Sequence, residues 1–210
     1  EDLPISGMAA GADLSAISMH KSGGSLTQSA FLVAGPNIDS ERLRQIIGLA
    51  QTTSASYLLM SSLDISRKNM ALSGKEVFQK VEALTLYARD AINKISGYYA
   101  YGDELVDGDT VYAFDPTKLT VNTTNTGLSG IEVYDLLRDE YDMQIELGDT
   151  ANILAYVSVG DRLQDLERLV TALSEIRRRF SKPPSLLKDV VMPPPIVKVT
   201  PKEAFYSSHE

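Results

Sequence analysis

The sequence predicts an α/β protein built in two successive parts. Three observations carry that reading: short apolar runs closed by breakers near the start, one long helical stretch in the middle, and shorter alternating elements beyond residue 110. With 210 residues, 43% of them apolar and 23% charged, the chain has enough apolar matter for one large domain or two small ones and does not read as disordered.

Met8 to Ser18 is small and apolar, which suits the end of a helix followed by a short buried strand. A polar turn from Met19 to Ser25 follows, and Phe31-Leu32-Val33-Ala34 is a second strand, broken by Gly35-Pro36. Asp39 or Ser40 caps a helix in which Leu43, Ile46, Ile47 and Ala50 recur at helical spacing. From Tyr57 to Ile95 the pattern is helical, with a kink or change of helix expected at Ser73-Gly74. Val77, Val81, Leu84, Tyr87, Ala88, Ala91 and Ile95 form a stripe that reads as core packing. Gly97, Gly102 and the acidic stretch Asp103 to Asp109 mark a turn-rich boundary.

Beyond it, Val111–Phe114 and Leu119–Thr124 are expected as strands. A helix follows from Ser129 or Gly130 to Tyr141, opened by the capping box that Ser129 and Glu132 make. Ile145–Leu147 and Ile153–Val159 are the next strands, and Arg162–Arg179 is a helix with Leu163, Leu166, Leu169, Val170, Leu173 and Ile176 on its apolar side. Pro183, Pro184 and Pro193-Pro194-Pro195 bracket a linker that cannot be helical. After Pro201 no further element is expected. The opening at Glu1 without Met and the unfinished close at Glu210 suggest a fragment.

Composition narrows the function. With 20 Lys and Arg against 28 Asp and Glu the chain is acidic and has no basic stripe for nucleic acid. No apolar run approaches the roughly 20 residues that span a bilayer, and no signal peptide is visible, so a cytoplasmic protein without membrane partners is expected. The absence of cysteine removes disulfides, thiolate nucleophiles and Cys-based metal sites, and His20 and His209 are too far apart to suggest a local pair; no metal is expected.

The informative segment is Ser18-Met19-His20-Lys21-Ser22-Gly23-Gly24-Ser25. It sets a lysine straight after an apolar strand, beside a histidine, hydroxyls and two glycines. A lysine attacks a carbonyl only as the neutral amine, which desolvation or nearby positive charge favours. Hydroxyls and glycine N–H groups are natural phosphate donors, and a phosphate anchors pyridoxal phosphate. Taken alone, such a turn is more commonly a solvated loop.

Longer stretches resemble a known family. Leu3-Pro4-Ile5-Ser6, Gly11-Ala12-Asp13, Ser18-Met19-His20-Lys21 and Leu26-Thr27-Gln28-Ser29 are similar to the Schiff-base lysine segment of the Orn/Lys/Arg decarboxylase family, whose members have the aspartate-aminotransferase-like fold. Gln51-Thr52-Thr53-Ser54-Ala55-Ser56-Tyr57, Ser62-Leu63-Asp64, Asp115-Pro116-Thr117-Lys118-Leu119, Glu146-Leu147-Gly148-Asp149 and Pro201-Lys202-Glu203-Ala204-Phe205 agree in order. Ser18 to Gln28 and Thr52 to Met60 are most similar to the biosynthetic arginine decarboxylases of Gram-positive type.

The resemblance implies that residues 1–105 are the C-terminal part of the cofactor-binding large domain, 110–180 a small α/β (α+β) domain, and 181–210 a linker and the start of a further segment. It implies pyridoxal 5'-phosphate as cofactor, Lys21 as its Schiff-base lysine, and Ser18 and His20 as neighbours that hold its phosphate. It also implies a homodimer or higher homo-oligomer in which Thr53 and Ser54 reach the phosphate of the neighbouring subunit; helix capping ahead of Tyr57 is the other reading of those two residues. The reaction implied is α-decarboxylation of a basic amino acid, arginine to agmatine foremost, with lysine or ornithine as alternatives and a non-catalytic fragment as a further one. Arg67 reads as a packing or surface residue. Glu146 and Asp149 are weaker candidates for steering a cationic substrate, against ordinary surface solvation. The family's aspartate for the pyridinium nitrogen lies upstream of the matching segment, so this chain alone is expected to be inactive.

Overall fold

The computed structural model describes residues 3–180, 183 and 193–208. Most of the expected linker and His209 lie outside the described residues.

Strand β1 (Leu14–Ile17) pairs antiparallel with β2 (Phe31–Ala34), Leu14 opposite Ala34 and Ile17 opposite Phe31. The helix end expected from Met8 is instead a run of turns, in which Ala10 N–H donates to Ser6 O at 2.9 Å and Gly11 takes φ 96°. Nor is β1 buried as expected: Leu14 is 44% and Ile17 40% exposed. A two-stranded ribbon has too little surface of its own to cover both faces. The polar turn expected after β1 begins as a one-turn helix, α1 (Met19–Ser22), closed by Gly23 N–H donating to Met19 O at 3.1 Å. A Cβ at Gly23 would stand 2.8 Å from Met19 O, so the chain turns there only with glycine.

Helix α2 (Ser40–Ala50) starts at Asp39, whose carboxylate accepts from the N–H groups of Glu41 and Arg42 at 3.0 and 3.2 Å. Helix α3 (Tyr57–Asn93) runs unbroken past Ser73-Gly74, where a kink or new helix was expected. A lone glycine keeps its N–H and costs a helix only about 1 kcal/mol, which the length of packed helix offsets. Its buried stripe is Val81, Leu84, Ala88 and Ile92; Val77, Ala91 and Ile95 lie at its half-buried edge, and Tyr87 turns outward.

After Gly97 (φ 98°) comes a short strand that the sequence reading did not anticipate, β3 (Tyr99–Ala100). The Asn93 amide holds it, accepting from Ala100 N–H at 2.7 Å and donating to Ala100 O at 3.1 Å. Val111–Phe114, expected as a strand, is irregular. Asp107 captures the N–H groups of Asp109, Thr110 and Val111 between 2.8 and 2.9 Å, and this turn takes the place of strand pairing.

Strand β4 (Lys118–Asn122) leads to α4 (Gly130–Tyr141), which opens on the expected Ser129–Glu132 capping box. Strand β5 (Leu147–Gly148) sits two residues later than expected, and β6 (Asn152–Tyr156) ends earlier, where Ser158 and Asp161 form a turn. Helix α5 (Leu163–Arg179) follows. The sheet order is β3-β4-β6-β5, antiparallel throughout. Alternation sends Leu119, Val121, Ile153 and Ala155 into a core shared with α3, α4 and α5. That core takes in Val81 to Ile92, Tyr98 and Ala100 as well as elements after residue 110. Lys118 and Tyr156 point to the other face. A short helix, α6 (Pro201–Tyr206), forms where no terminal element was expected; Thr200 caps it and Pro201 occupies its first turn.

Candidate active site

Lys21 lies on α1, immediately after β1, and opens onto a cavity of about 470 Å³. The lysine turn lines it with Ser22 and Gly24. Phe78 of α3 lines it as well, and the second part contributes Asp115, Thr117 and Lys118 at the start of β4 and Tyr156 and Ser158 at the end of β6.

The second wall is tightly bonded. Lys118 Nζ donates to Asp115 Oδ2 at 3.0 Å and to Thr117 Oγ1 at 2.9 Å, and lies 4.1 Å from the centre of the Tyr156 ring. Asp115 Oδ1 accepts from the N–H and hydroxyl of Thr117 at 2.9 and 2.7 Å. Burial opposes ionisation of Asp115, but Thr117 and Lys118 outweigh it and hold the carboxyl below the usual aspartate range. For Lys118 burial pulls downward, while Asp115 and Tyr156 pull harder and leave the ammonium above its ordinary value. The wall therefore carries a fixed ion pair, with Lys118 and Asp115 both held in their charged forms.

Arg89, on α3 and 6% exposed, fixes the backbone of that wall. Its Nε donates to Tyr101 O at 2.6 Å and its Nη2 to Pro116 O and Lys118 O, both at 3.1 Å. Burial draws its pKa down and Asp103, Glu104, Asp90 and Asp115 partly restore it, so burial dominates.

The other singled-out residues are placed as follows. His20 Nδ1 is 2.8 Å from Ser29 O; a carbonyl only accepts, so Nδ1 carries the proton. Ser18 precedes α1 as an exposed residue without a side-chain cap bond. Neither His20 nor Ser18 lines the cavity. Thr53 and Ser54 are exposed, and Ser54 N–H donates to Thr52 Oγ1 at 3.2 Å. Neither caps α3; Ser56 does, accepting from Leu59 N–H at 3.5 Å. Arg67 pairs with Asp64 at 2.8 Å on the surface. Asp149 holds a turn by accepting from the N–H groups of Ala151 and Asn152 at 2.7 and 2.6 Å, which lowers its pKa, and it does not reach the cavity. Glu146 borders a different hollow. The sequence reading did not single out Asp115, Thr117, Lys118, Tyr156 or Arg89. The available signal was the Asp-Pro-Thr-Lys run, whose alternation places Lys118 opposite the buried Leu119.

Among the described residues no helix is long and apolar enough to cross a membrane, and no group of three or more His, Asp or Glu side chains could hold a metal ion.

This fold is shared with decarboxylases and aminotransferases of known structure. The Francisella novicida lysine decarboxylase LdcF superposes with a TM-score of 0.69 at 18% identity, over 79% of this chain and 28% of that one. An alanine–glyoxylate aminotransferase from Nostoc sp. gives 0.62 at 18%, over 82% and 50%. The particular family comes from sequence: the chain belongs to the Orn/Lys/Arg decarboxylase family, whose major domain matches residues 2–165. The arginine decarboxylase of Bacillus subtilis is 39% identical over the whole chain, and that of Halalkalibacterium halodurans 40%. The chain spans 44% of the length of each of these two relatives.

Proposed function

We propose that the protein carrying this chain decarboxylates a basic amino acid, arginine foremost, using pyridoxal 5'-phosphate attached at Lys21. The observation that carries the reading is the position of Lys21 on the cavity that the lysine turn and the second part share. The residues present fit the cofactor at its aldehyde end. The amine is accessible, Ser22 and the turn at Gly24 are polar and close by, and the cavity of about 470 Å³ is within the range of small-molecule sites. Ser18 and His20 are proposed for the phosphate end; they flank Lys21 in the chain, and His20 is held in one tautomer with Nε2 free to accept or, once protonated, to donate.

When bound, pyridoxal phosphate supplies the electron sink that takes up the pair released as CO2 leaves. Lys21 provides the attachment amine and, when released, a proton donor at the carbon that loses CO2. Lys118, locked by Asp115 and Thr117, gives that wall a fixed set of polar groups facing the cavity that Lys21 also lines. The relatives at 39 and 40% identity support arginine over lysine or ornithine.

The same reading divides the chain into a cofactor-bearing part through about residue 105, a small domain over 110–180, and a linker with a following segment over 181–210. It also proposes a homodimer or higher homo-oligomer in the cytoplasm in which Thr53 and Ser54 complete the partner's phosphate site. The test is product analysis with the complete protein. Arginine should give agmatine and CO2, lysine and ornithine much less cadaverine and putrescine, and Lys21→Ala should give none. Release of agmatine at the parental rate by Lys21→Ala refutes the reading.

A further inference from the structure

The lysine turn hangs from α3 by two serines set one helical turn apart. Ser66 is 3% exposed, the one buried residue in the N-terminal half of α3, and its hydroxyl donates to Gly23 O. Ser62 Oγ donates to Leu59 O at 2.8 Å and accepts from Leu26 N–H at 3.2 Å. Positions four apart share a helix face, so both hydroxyls meet the same stretch of loop.

These bonds fall on either side of the glycine turn that follows Lys21. Gly23 closes α1, and Gly24, with φ 83°, reverses the chain. On the far side Ser29 finishes the arrangement, its hydroxyl donating to Leu26 O at 2.5 Å and its carbonyl accepting from His20 Nδ1 at 2.8 Å. Ser25 Oγ stands 2.6 Å from Ser29 Oγ. The carbonyl of Gly23 and the N–H of Leu26 would otherwise face a loop with few packing contacts, since Lys21, Ser22, Gly24 and Leu26 are all exposed. The α1 turn is too short to hold a geometry by itself.

We propose that Ser62 and Ser66 are positioning residues for Lys21: together they fix the Gly23–Leu26 turn to α3 and so set where the Lys21 amine stands in the cavity. The inference rests on Lys21 being the attachment lysine. It assigns the two serines a task that helix formation does not need, because serine is a mediocre helix former and an apolar residue would fill the Ser66 site at least as well.

The test uses the complete protein with Ser62→Ala, Ser66→Ala and Ser66→Thr, the last keeping the hydroxyl. Amide hydrogen exchange read by peptide should rise about fivefold across residues 19–29 in either alanine variant, the change expected for losing one ordinary hydrogen bond, while peptides from α4 and α5 stay at parental rates. The absorbance of lysine-bound cofactor at limiting cofactor should fall in the same variants, with kcat reduced and KM for the amino acid held. Ser66→Thr should restore both. Exchange that rises everywhere in parallel with a lower melting temperature means a merely structural role and overturns the proposal, as does parental exchange over 19–29. Lys21→Ala, run alongside, separates the two claims. If it retains cofactor and turnover, the lysine assignment is wrong and the proposal falls with it. If it loses both while the serine variants match the parent, only the clamp is wrong.

Discussion

Replacing Arg89 by methionine isolates one buried cation whose bonds hold the cavity wall. The guanidinium makes three hydrogen bonds to carbonyls, at 2.6, 3.1 and 3.1 Å, and lies 5.2 Å from the centre of the Phe114 ring. Bonds from a charged donor contribute about 1.5 to 3 kcal/mol each. Against their sum stands the cost of keeping the guanidinium dry, several kcal/mol, which the variant recovers. Methionine keeps most of the apolar stem packed, so the net loss is that of three orphaned carbonyls less the recovered desolvation, about 3 to 5 kcal/mol. Urea unfolding of parent and variant followed by far-ultraviolet circular dichroism reads this directly as a lower midpoint at unchanged slope. Arg89→Lys should recover only part of the loss, since one ammonium cannot reproduce the planar fork. A loss below about 1 kcal/mol for Arg89→Met would show that the three carbonyls find other partners and that Arg89 does not hold the wall.

Gly130→Ala should destabilise by about 3 kcal/mol, because its Cβ would stand 1.9 Å from Asn152 O, where α4 starts against β6; the same unfolding titration checks it. Asp115→Asn should be less stable than the parent at pH 7, and the gap should close as the pH falls below 3.8, the ordinary aspartate value. A carboxyl whose folded pKa is depressed contributes stability above its unfolded pKa and loses it as the pH drops through the folded one. In the complete protein, subunits carrying Lys21→Ala, mixed with subunits carrying Thr53→Ala and Ser54→Ala under conditions of subunit exchange, should be more active at limiting cofactor than either parent. A mixture no more active than its parents shows that the loop does not act across a dimer interface.

The elements legible in the sequence were those whose pattern is local. Asp39 and Ser129 announce helix starts because their side chains bond N–H groups two or three residues on, and Val81, Leu84 and Ala88 repeat at the helical period whatever they pack against. The misread pieces depend on distant partners. β3 has two residues and exists through β4 and the Asn93 side chain, neither of which its own residues announce. Val111–Phe114 has strand-forming residues, yet Asp107 takes its backbone into a turn. At the candidate site Lys21 stood out through the strand-then-glycine pattern and the family resemblance. Lys118 and Asp115 are nearly a hundred residues further along, and only the folded arrangement of β4 and α1 brings them to one cavity. Arg89 looked like any charge on a long helix; its three carbonyl partners come from segments 12 to 29 residues away.

The central claim is the attachment of the cofactor at Lys21, and borohydride reduction of the complete protein with pyridoxal 5'-phosphate, followed by peptide mapping, tests it most directly. The account predicts a pyridoxyl label on Lys21, lost in Lys21→Ala. A label on Lys118, the other amine on the same cavity, or on Lys68 or Lys75 of α3, with Lys21 unmodified, would contradict it.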